Sequence, residues 1–260
     1  QMHSNIITVE TQQQFINKMV DAMRYFFGRG ENTYSDHFSS QDENPNFPFK
    51  GFILAGPPGS GKTEAVLEVG RSLAYELSQT GVEVRLFHVN SANINRANLG
   101  ENEERLRRVF RDAKGGVHGR TTRTIILFDD IETLLVKRTD AHTSEWSRAM
   151  NGVFFHELDQ LVTTQTMVVA TTNEPELIDD AVTSRLSLKE APAPTVDEMI
   201  QISTTALPIQ GANGKTREDL QKECTQLINL RLREGEPPSF RLARKSAIEI
   251  LMSQVVGWDS

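Results

Sequence analysis

Residues Gly56-Pro-Pro-Gly-Ser-Gly-Lys-Thr63 constrain this chain more than any other stretch. They fill every fixed position of the phosphate-cradling pattern G-x-x-x-x-G-K-[ST]. An apolar run, Phe52-Ile-Leu-Ala55, leads in, and a helical pattern, Glu64-Ala-Val-Leu-Glu-Val, leads out. In a strand–loop–helix context the loop's backbone N–H groups converge on an anion, and the helix N-terminus adds partial positive charge. Gly59 and Gly61 let the backbone approach phosphates with no Cβ in the way. Lys62 is placed to reach the β- and γ-phosphates, and the Thr63 hydroxyl to ligate Mg²⁺. Gly56, Pro57, Pro58, Gly59, Ser60, Gly61, Lys62, Thr63 and Glu64 are therefore the candidate ATP-binding stretch. The plain alternative, an ordinary glycine turn, does not account for the Lys-Thr pair at its end.

From Lys50 onward strands and helices alternate. Strands are expected at 52–56, 83–89, 124–129, 166–171 and 186–190, and helices at 62–79, 101–114, 144–161 and 176–183. That alternation implies a parallel sheet covered on both faces, with ligands beyond the carboxyl ends of its strands. The expected fold is an α/β parallel-sheet ATPase core over 50–191 with a small all-helical lid over 192–260. Thr195 to Glu198 reads as a capping box. Leu220, Cys224, Leu227 and Ile228 mark a second lid helix, and Ser239 caps a third. Residues 1–49 form an N-terminal helix and linker. Phe15, Ile16, Met19, Val20, Met23 and Phe27 share a stripe over 11–27, Thr11 with Gln14 offers a capping box, and Gly28 and Gly30 end the helix.

Two further strand ends carry chemistry. Thr124-Ile-Ile-Leu-Phe-Asp129-Asp130 is an apolar strand ending in two carboxylates. Asp129 can hold the Mg²⁺ shell, and Asp130 can orient or deprotonate the attacking water. Val168-Val-Ala-Thr-Thr-Asn173 ends in an amide able to bond both the γ-phosphate and that water.

With these residues in hand, the stretch from about 50 to 260 resembles the AAA branch of the AAA+ ATPases. Lys50-Gly51, Gly100-Glu-Asn-Glu103, Arg107, Phe110 and Ala113 match its pattern, as do Asp129-Asp130-Ile-Glu132 and Thr172-Asn173-Glu-Pro175, Asp179, Ala181 and Arg185. The resemblance implies ATP and Mg²⁺ as cofactors, Asn173 as sensor 1, and Arg185 as a finger inserted into a neighbouring subunit's site. Such a finger is worth on the order of 10³–10⁵ in rate. Its use in trans implies self-assembly, usually as a hexameric ring. Ser144, Arg148, Asn151, Val153 and Asp159-Gln160 are similar to the pachytene-checkpoint ATPases, which remodel HORMA-domain proteins. Phe240-Arg241-Leu-Ala-Arg244-Lys245 resembles their sensor-2 segment and makes Arg241 the sensor, although Phe240 stands where glycine is expected.

Three departures follow. Asp130 stands where the family usually has Glu, and one fewer methylene draws the carboxylate back from the water, implying either slower hydrolysis or assistance by Glu132. The pore loop reads Ala97-Asn98-Leu99, so Asn98 replaces the usual gripping aromatic; a short pull through Leu99 and the Asn98 amide remains. The residues before Lys50 are too few for the usual recruiting domain, so a substrate is expected to meet the ring directly or through an adaptor.

The rival reading is a DNA-associated loader or transposition regulator acting as an ATP switch, favoured by a basic run of Arg105, Arg107, Arg108, Arg111, Lys114, Arg120 and Arg123. A net charge of −7 counts against a nucleic-acid surface. The six histidines show no ligand spacing, and Cys224 reads as a buried small hydrophobe. One cysteine, no apolar run near the ~20 residues needed to cross a bilayer, and no secretory leader point to the cytoplasm with no membrane partner. The reading that results is a ring-forming Mg-ATP-dependent ATPase that remodels or disassembles a protein, of the HORMA type.

Overall fold

The computed structural model describes residues 9–28, 33–34, 48–94, 101–116, 121–135, 145–208 and 214–256. The chain packs into two compact units. One comprises Gln1–Phe15, Pro57–Gly61 and Ala191–Ser260; the other comprises Ile16–Gly56 and Lys62–Glu190.

The larger unit is built on five strands: β1 Gly51–Ala55, β2 Val82–Asn90, β3 Thr121–Asp129, β4 Thr166–Thr172 and β5 Leu186–Glu190. Every pairing is parallel, and the order across the sheet is β2-β3-β4-β1-β5. The central strands β1, β3 and β4 read as apolar runs because both faces are covered, all seven residues of β4 being buried, whereas the edge strands β2 and β5 alternate and stay partly exposed. Helices α2 (Lys62–Ser78), α4 (Glu101–Lys114) and α5 (Glu145–Asp159) supply that cover, and a short α3 (Ser91–Ile94) follows β2. Leu106, Phe110 and Ala113 of α4 share one apolar core with Met150, Phe154 and Leu158 of α5 and with Ile126, Phe128, Val168 and Ala170 of the sheet. The rings of Phe110, Phe128 and Phe154 stand 5.4–5.8 Å apart, an edge-and-tilt cluster that adds to their burial.

Helix α1 spans Glu10–Phe27. Its expected stripe is buried at Ile16, Met19, Val20, Met23 and Phe27, with Phe15 half-buried. The expected capping box at Thr11 is not formed. The helix begins one residue earlier, Gln14 Nε2 donates to Glu10 Oε1, and the Thr11 N–H donates to Glu198 instead. The helix ends before Gly28, and Arg123 Nε donates to the Phe27 carbonyl at 2.9 Å, satisfying a helix-end acceptor. Gly30 and much of the expected linker lie outside the described residues.

The expected helix over 176–183 is two short pieces, a 3₁₀ turn at Pro175–Leu177 and α6 at Asp180–Thr183. Asp179 is extended and caps α6, its side chain accepting from the Ala181 N–H, which breaks a continuous helix at that point. β3 begins three residues earlier than expected because Thr121, Thr122 and Arg123 pair with Val82, Glu83 and Val84.

The helical unit contains α7 (Val196–Ala206), α8 (Arg217–Arg233) and α9 (Phe240–Val256). Met199, Ile202, Ile228, Leu242 and Ala243 form its core with Val9. The Thr195–Glu198 capping box is present, and a second, unanticipated, joins Thr216 to Asp219. Cys224 is fully buried, which pushes its thiol up to about 11 and makes it chemically inert.

Glu198 takes two jobs, accepting from the Thr195 N–H and from the Thr11 N–H, both at 2.8 Å. Burial alone would raise its carboxyl, but the donors of Thr11 and Thr195 outweigh burial and hold it below the ordinary glutamate value. A lowered native value means the stabilisation is complete above the ordinary glutamate range and is lost as pH falls through the lowered value. Glu198→Ala should therefore cost the helical unit about 1–2 kcal/mol at neutral pH. Thermal unfolding of variant and parent should converge on acidification.

Candidate nucleotide site

Register decides which strand ends meet. Ala55 lies opposite Thr172, and Phe128 opposite Ala170, so Gly56, Asp129 and Asn173 emerge side by side at the carboxyl edge of the sheet. The Gly56 N–H donates to the Thr172 carbonyl at 3.3 Å.

At this edge the expected residues of the larger unit come together. Thr63 Oγ1 donates to Asp129 Oδ1 at 2.7 Å. Lys62 is buried; its Nζ donates to the Gly56 carbonyl at 2.8 Å and to Asn173 Oδ1 at 2.9 Å. Asn173 Nδ2 in turn donates to Asp130 Oδ1 at 3.0 Å. Lysine, amide and carboxylate thus form one chain in the order expected for phosphate grip, sensor and water-activating base. Glu64 is exposed in the first turn of α2.

Asp130 is the only described non-glycine residue with positive φ, at φ 52° and ψ 60°. Aspartate tolerates this left-handed conformation better than most residues, and it turns the chain sharply out of β3. Burial first, then the charges of Asp129 and Glu132, push its carboxyl above the usual range, against the pull of Lys62 and Asn173. Glu132, expected to assist at the water, instead accepts the Asn173 N–H through Oε1 at 3.1 Å and so anchors the sensor's backbone. Its Oε2 is buried without a hydrogen-bond partner.

Sequence reasoning missed Thr171. Its Oγ1 donates to Asp129 Oδ1 at 2.6 Å and accepts the Asp130 N–H at 3.0 Å, holding both carboxylate residues from the next strand. The only signal was its place two residues before Asn173. His88, one of the histidines without ligand spacing in the sequence, stands 3.6 Å from Asp129 Oδ2. It shares β2 with Asn90, the residue paired with Asp129.

In the helical unit the glycine turn Pro57–Gly61 packs against the start of α9. The Phe240 N–H donates to the Gly59 carbonyl at 3.0 Å, and the Ser60 N–H to the Pro57 carbonyl at 3.2 Å. Gly59 and Gly61 have φ of 81° and 84°. A Cβ on Gly59 would lie 2.5 Å from Arg241 Cβ, and one on Gly61 would lie 2.7 Å from Gln12 Nε2 and 3.1 Å from the Phe240 ring. Arg241 is therefore held against the glycine turn, and Phe240, where glycine was expected, covers that turn with its ring. Pro58 is exposed there.

The residues fit the groups they are expected to hold. Thr63 and Asp129 present a hydroxyl and a carboxylate oxygen side by side, the hard oxygen donors that Mg²⁺ prefers. The turn has no room for side chains where phosphate oxygens need backbone N–H groups. Asn98 and Leu99, the expected pore loop, lie outside the described residues.

Arg185 is committed within its own chain. Its Nε and Nη2 donate to the two carboxylate oxygens of Asp159. Most of the basic run is similarly engaged, although Arg108 is exposed and Arg120 lies outside the described residues. Arg105 donates to the Asn93 carbonyl, Arg107 and Arg111 pair with Glu103 and Glu104, Lys114 pairs with Glu157, and Arg123 holds the end of α1. Such pairing gives a solvated, partly neutralised helix face.

Residues 52–191 match the ATPase family associated with various cellular activities (AAA). A probable spastin homolog of Brugia malayi is 31% identical over 141 residues, covering 53% of this chain and 28% of that protein. An AAA ATPase forming ring-shaped complexes from Corynebacterium glutamicum is 32% identical over 145 residues, covering 55% and 27%. The chain thus spans about a quarter of the length of these relatives. Among solved structures, a chain of the E. coli MS115-1 HORMA:CdnC:Trip13 complex shares the fold with a TM-score of 0.56 at 16% identity, covering 92% of this chain and 87% of that one.

The bridge at Thr171 can be tested. Thr171→Val keeps the side chain's shape but strips Asp129 of a donor and leaves the Asp130 N–H unpaired. Supporting contacts of this kind are worth roughly 10–100-fold in metal affinity. The Mg²⁺ concentration needed for nucleotide binding should rise by about that factor, with the fold intact by circular dichroism.

Proposed function

This chain belongs to the AAA ATPase family, and from that premise we propose that it is a ring-forming, Mg²⁺-dependent ATP hydrolase that remodels or disassembles a HORMA-type protein. The observation that carries the hydrolytic part is the chain Lys62–Asn173–Asp130 beside the Thr63–Asp129 pair. The HORMA part is supported by the likeness, along nearly the whole length of both chains, to a chain of the HORMA:CdnC:Trip13 complex. It is supported also by the pachytene-checkpoint pattern at Arg148, Asn151, Val153 and Asp159-Gln160. The occupied arginines around α4 speak against a DNA-wrapping loader.

In this reading the backbone of Gly59, Ser60 and Gly61 and the Lys62 ammonium grip the triphosphate. Thr63 and Asp129 would hold Mg²⁺, which when bound would neutralise charge on the phosphate oxygens. Asp130 receives a proton from the attacking water, and the Asn173 amide orients that water against the γ-phosphate. Glu132 and Thr171 fix the backbones that carry Asn173 and Asp130. Arg241 acts as sensor 2, and Arg185 of one protomer serves the site of its neighbour, which makes the ring, usually a hexamer, part of the active unit. Asn98 and Leu99 are assigned to gripping the partner, and the setting is cytoplasmic.

Mixed-protomer kinetics test the assignment. Lys62→Ala and Arg185→Ala should each abolish turnover, and Arg185→Ala should keep nucleotide binding. Mixing the two should restore turnover, because one supplies a finger and the other an intact site. Turnover of the parent should rise with an added HORMA-domain protein. A rise with duplex DNA that falls steeply with salt, and none with the protein, would overturn the remodelling reading.

A further inference from the structure

Arg185 is held too firmly on its own chain to be offered elsewhere without a release step. Nε and Nη2 donate to Asp159 Oδ1 and Oδ2 at 2.5 and 2.9 Å, and Nη1 donates to the Ala181 carbonyl at 2.9 Å. The guanidinium carbon stands 5.3 Å from the centroid of the Phe155 ring. All three nitrogens of the fork are therefore engaged, Nη1 also reaching Ser184 Oγ at 3.4 Å, and one face of the plane rests on an aromatic. Only 28% of the side chain remains exposed.

Charge strengthens the case more than geometry does. A fork-to-fork guanidinium–carboxylate pair is close to neutral as a unit, so its field falls off faster than that of a lone cation. Paired in this way, Arg185 has little positive potential left for a phosphoryl group in transfer, and Asp159 would face that group as a like charge. A finger has to arrive without its carboxylate.

We propose that Asp159 is an autoinhibitory clasp that parks Arg185 on its own protomer and releases it only to a neighbour loaded with nucleotide. The inference rests on the reading of Arg185 as a finger used in trans. Hydrolysis is then low in protomers that lack a loaded neighbour, and assembly and turnover are coupled through one side-chain movement.

The surroundings suit a reversible clasp. Lys50, 2% exposed, donates from Nζ to the Leu161 carbonyl at 2.7 Å, two residues past Asp159, and its backbone N–H donates to the Arg185 carbonyl at 2.8 Å. One residue thus pins the backbone on both sides of the clasp, so that release needs only rotation of the Arg185 side chain. The Lys50 charge also bears on Asp159, holding its carboxyl low together with Arg185 itself. When the guanidinium leaves, Asp159 keeps a cation nearby, and with 49% of its side chain exposed it can be solvated. Neither condition of a trapped buried charge is met.

The experiment measures turnover against protomer concentration at saturating Mg-ATP for the parent, Asp159→Asn and Asp159→Ala. The near-isosteric Asn variant guards against misfolding, which thermal unfolding checks. Loss of a clasp should lower the protomer concentration giving half-maximal turnover by up to about fivefold, the range for a partly exposed pair, and more for Ala than for Asn. The maximal rate should not fall. A lower maximal rate with unchanged concentration dependence would make Asp159 a support for the finger and overturn the clasp. In an Arg185→Ala background, either Asp159 change should do nothing, and any gain there would also overturn it. The mixing of Lys62→Ala with Arg185→Ala protomers is read separately. Failure to complement removes the finger itself, whereas complementation with no shift in the Asp159 variants removes only the clasp.

Discussion

Three carboxylates leave the tip of β3 within four residues, Asp129, Asp130 and Glu132, and everything around them serves to tolerate that concentration of negative charge. Donors are distributed among them individually. Asp129 takes the hydroxyls of Thr63 and Thr171, Asp130 the amide of Asn173, and Glu132 the backbone N–H of Asn173. Lys62 supplies the nearby cation. The compensation is incomplete, since Asp130 titrates above the ordinary range and one oxygen of Glu132 has no hydrogen-bond partner. An edge with residual negative potential and oxygen donors suits a divalent cation, which in turn brings a polyphosphate.

The cations elsewhere follow a different economy. Arginines that look like a patch along the chain close helix ends and pair with carboxylates one or two turns away. Arg123 meets the carbonyl of Phe27, Arg85 meets that of Gly115, and Arg111 meets Glu104. Each guanidinium is engaged, and those paired with a carboxylate lose most of their long-range field. Arg185 and Asp159 follow the same rule, and that makes the pair informative: the one arginine expected to act on another protomer is as fully committed as those that only hold the fold.

Periodicity located most elements because their packing is two-sided and their runs are apolar, as at Ile125–Phe128 and Met167–Ala170. It failed where local hydrogen bonding overrides pattern. Asp179 caps a new helical turn and splits an expected helix. Glu198, distant in sequence, takes the Thr11 N–H that the pattern assigned to Gln14. The nucleotide residues were legible because a phosphate cradle needs particular residue types at contiguous positions. Thr171 was not, because its role arises from lying opposite another strand, and nothing in the spacing within its own strand marks it. Arg185 was legible as a residue, but its partner Asp159 lies 26 positions away and is visible only in the packed structure.

The amino-acid order by itself determined the glycine turn, the two acid-tipped and amide-tipped strands, the helical C-terminal unit and the family. Each depends on residues close together in the chain, where sterics and hydrogen-bonding capacity act directly. Only the tertiary structure decided that β4 inserts between β1 and β3, because strand order depends on how helices cover both faces and is not written in any one segment. That insertion brings Asn173 between Lys62 and Asp130, places Thr171 against Asp129, and sets the chemistry of the edge.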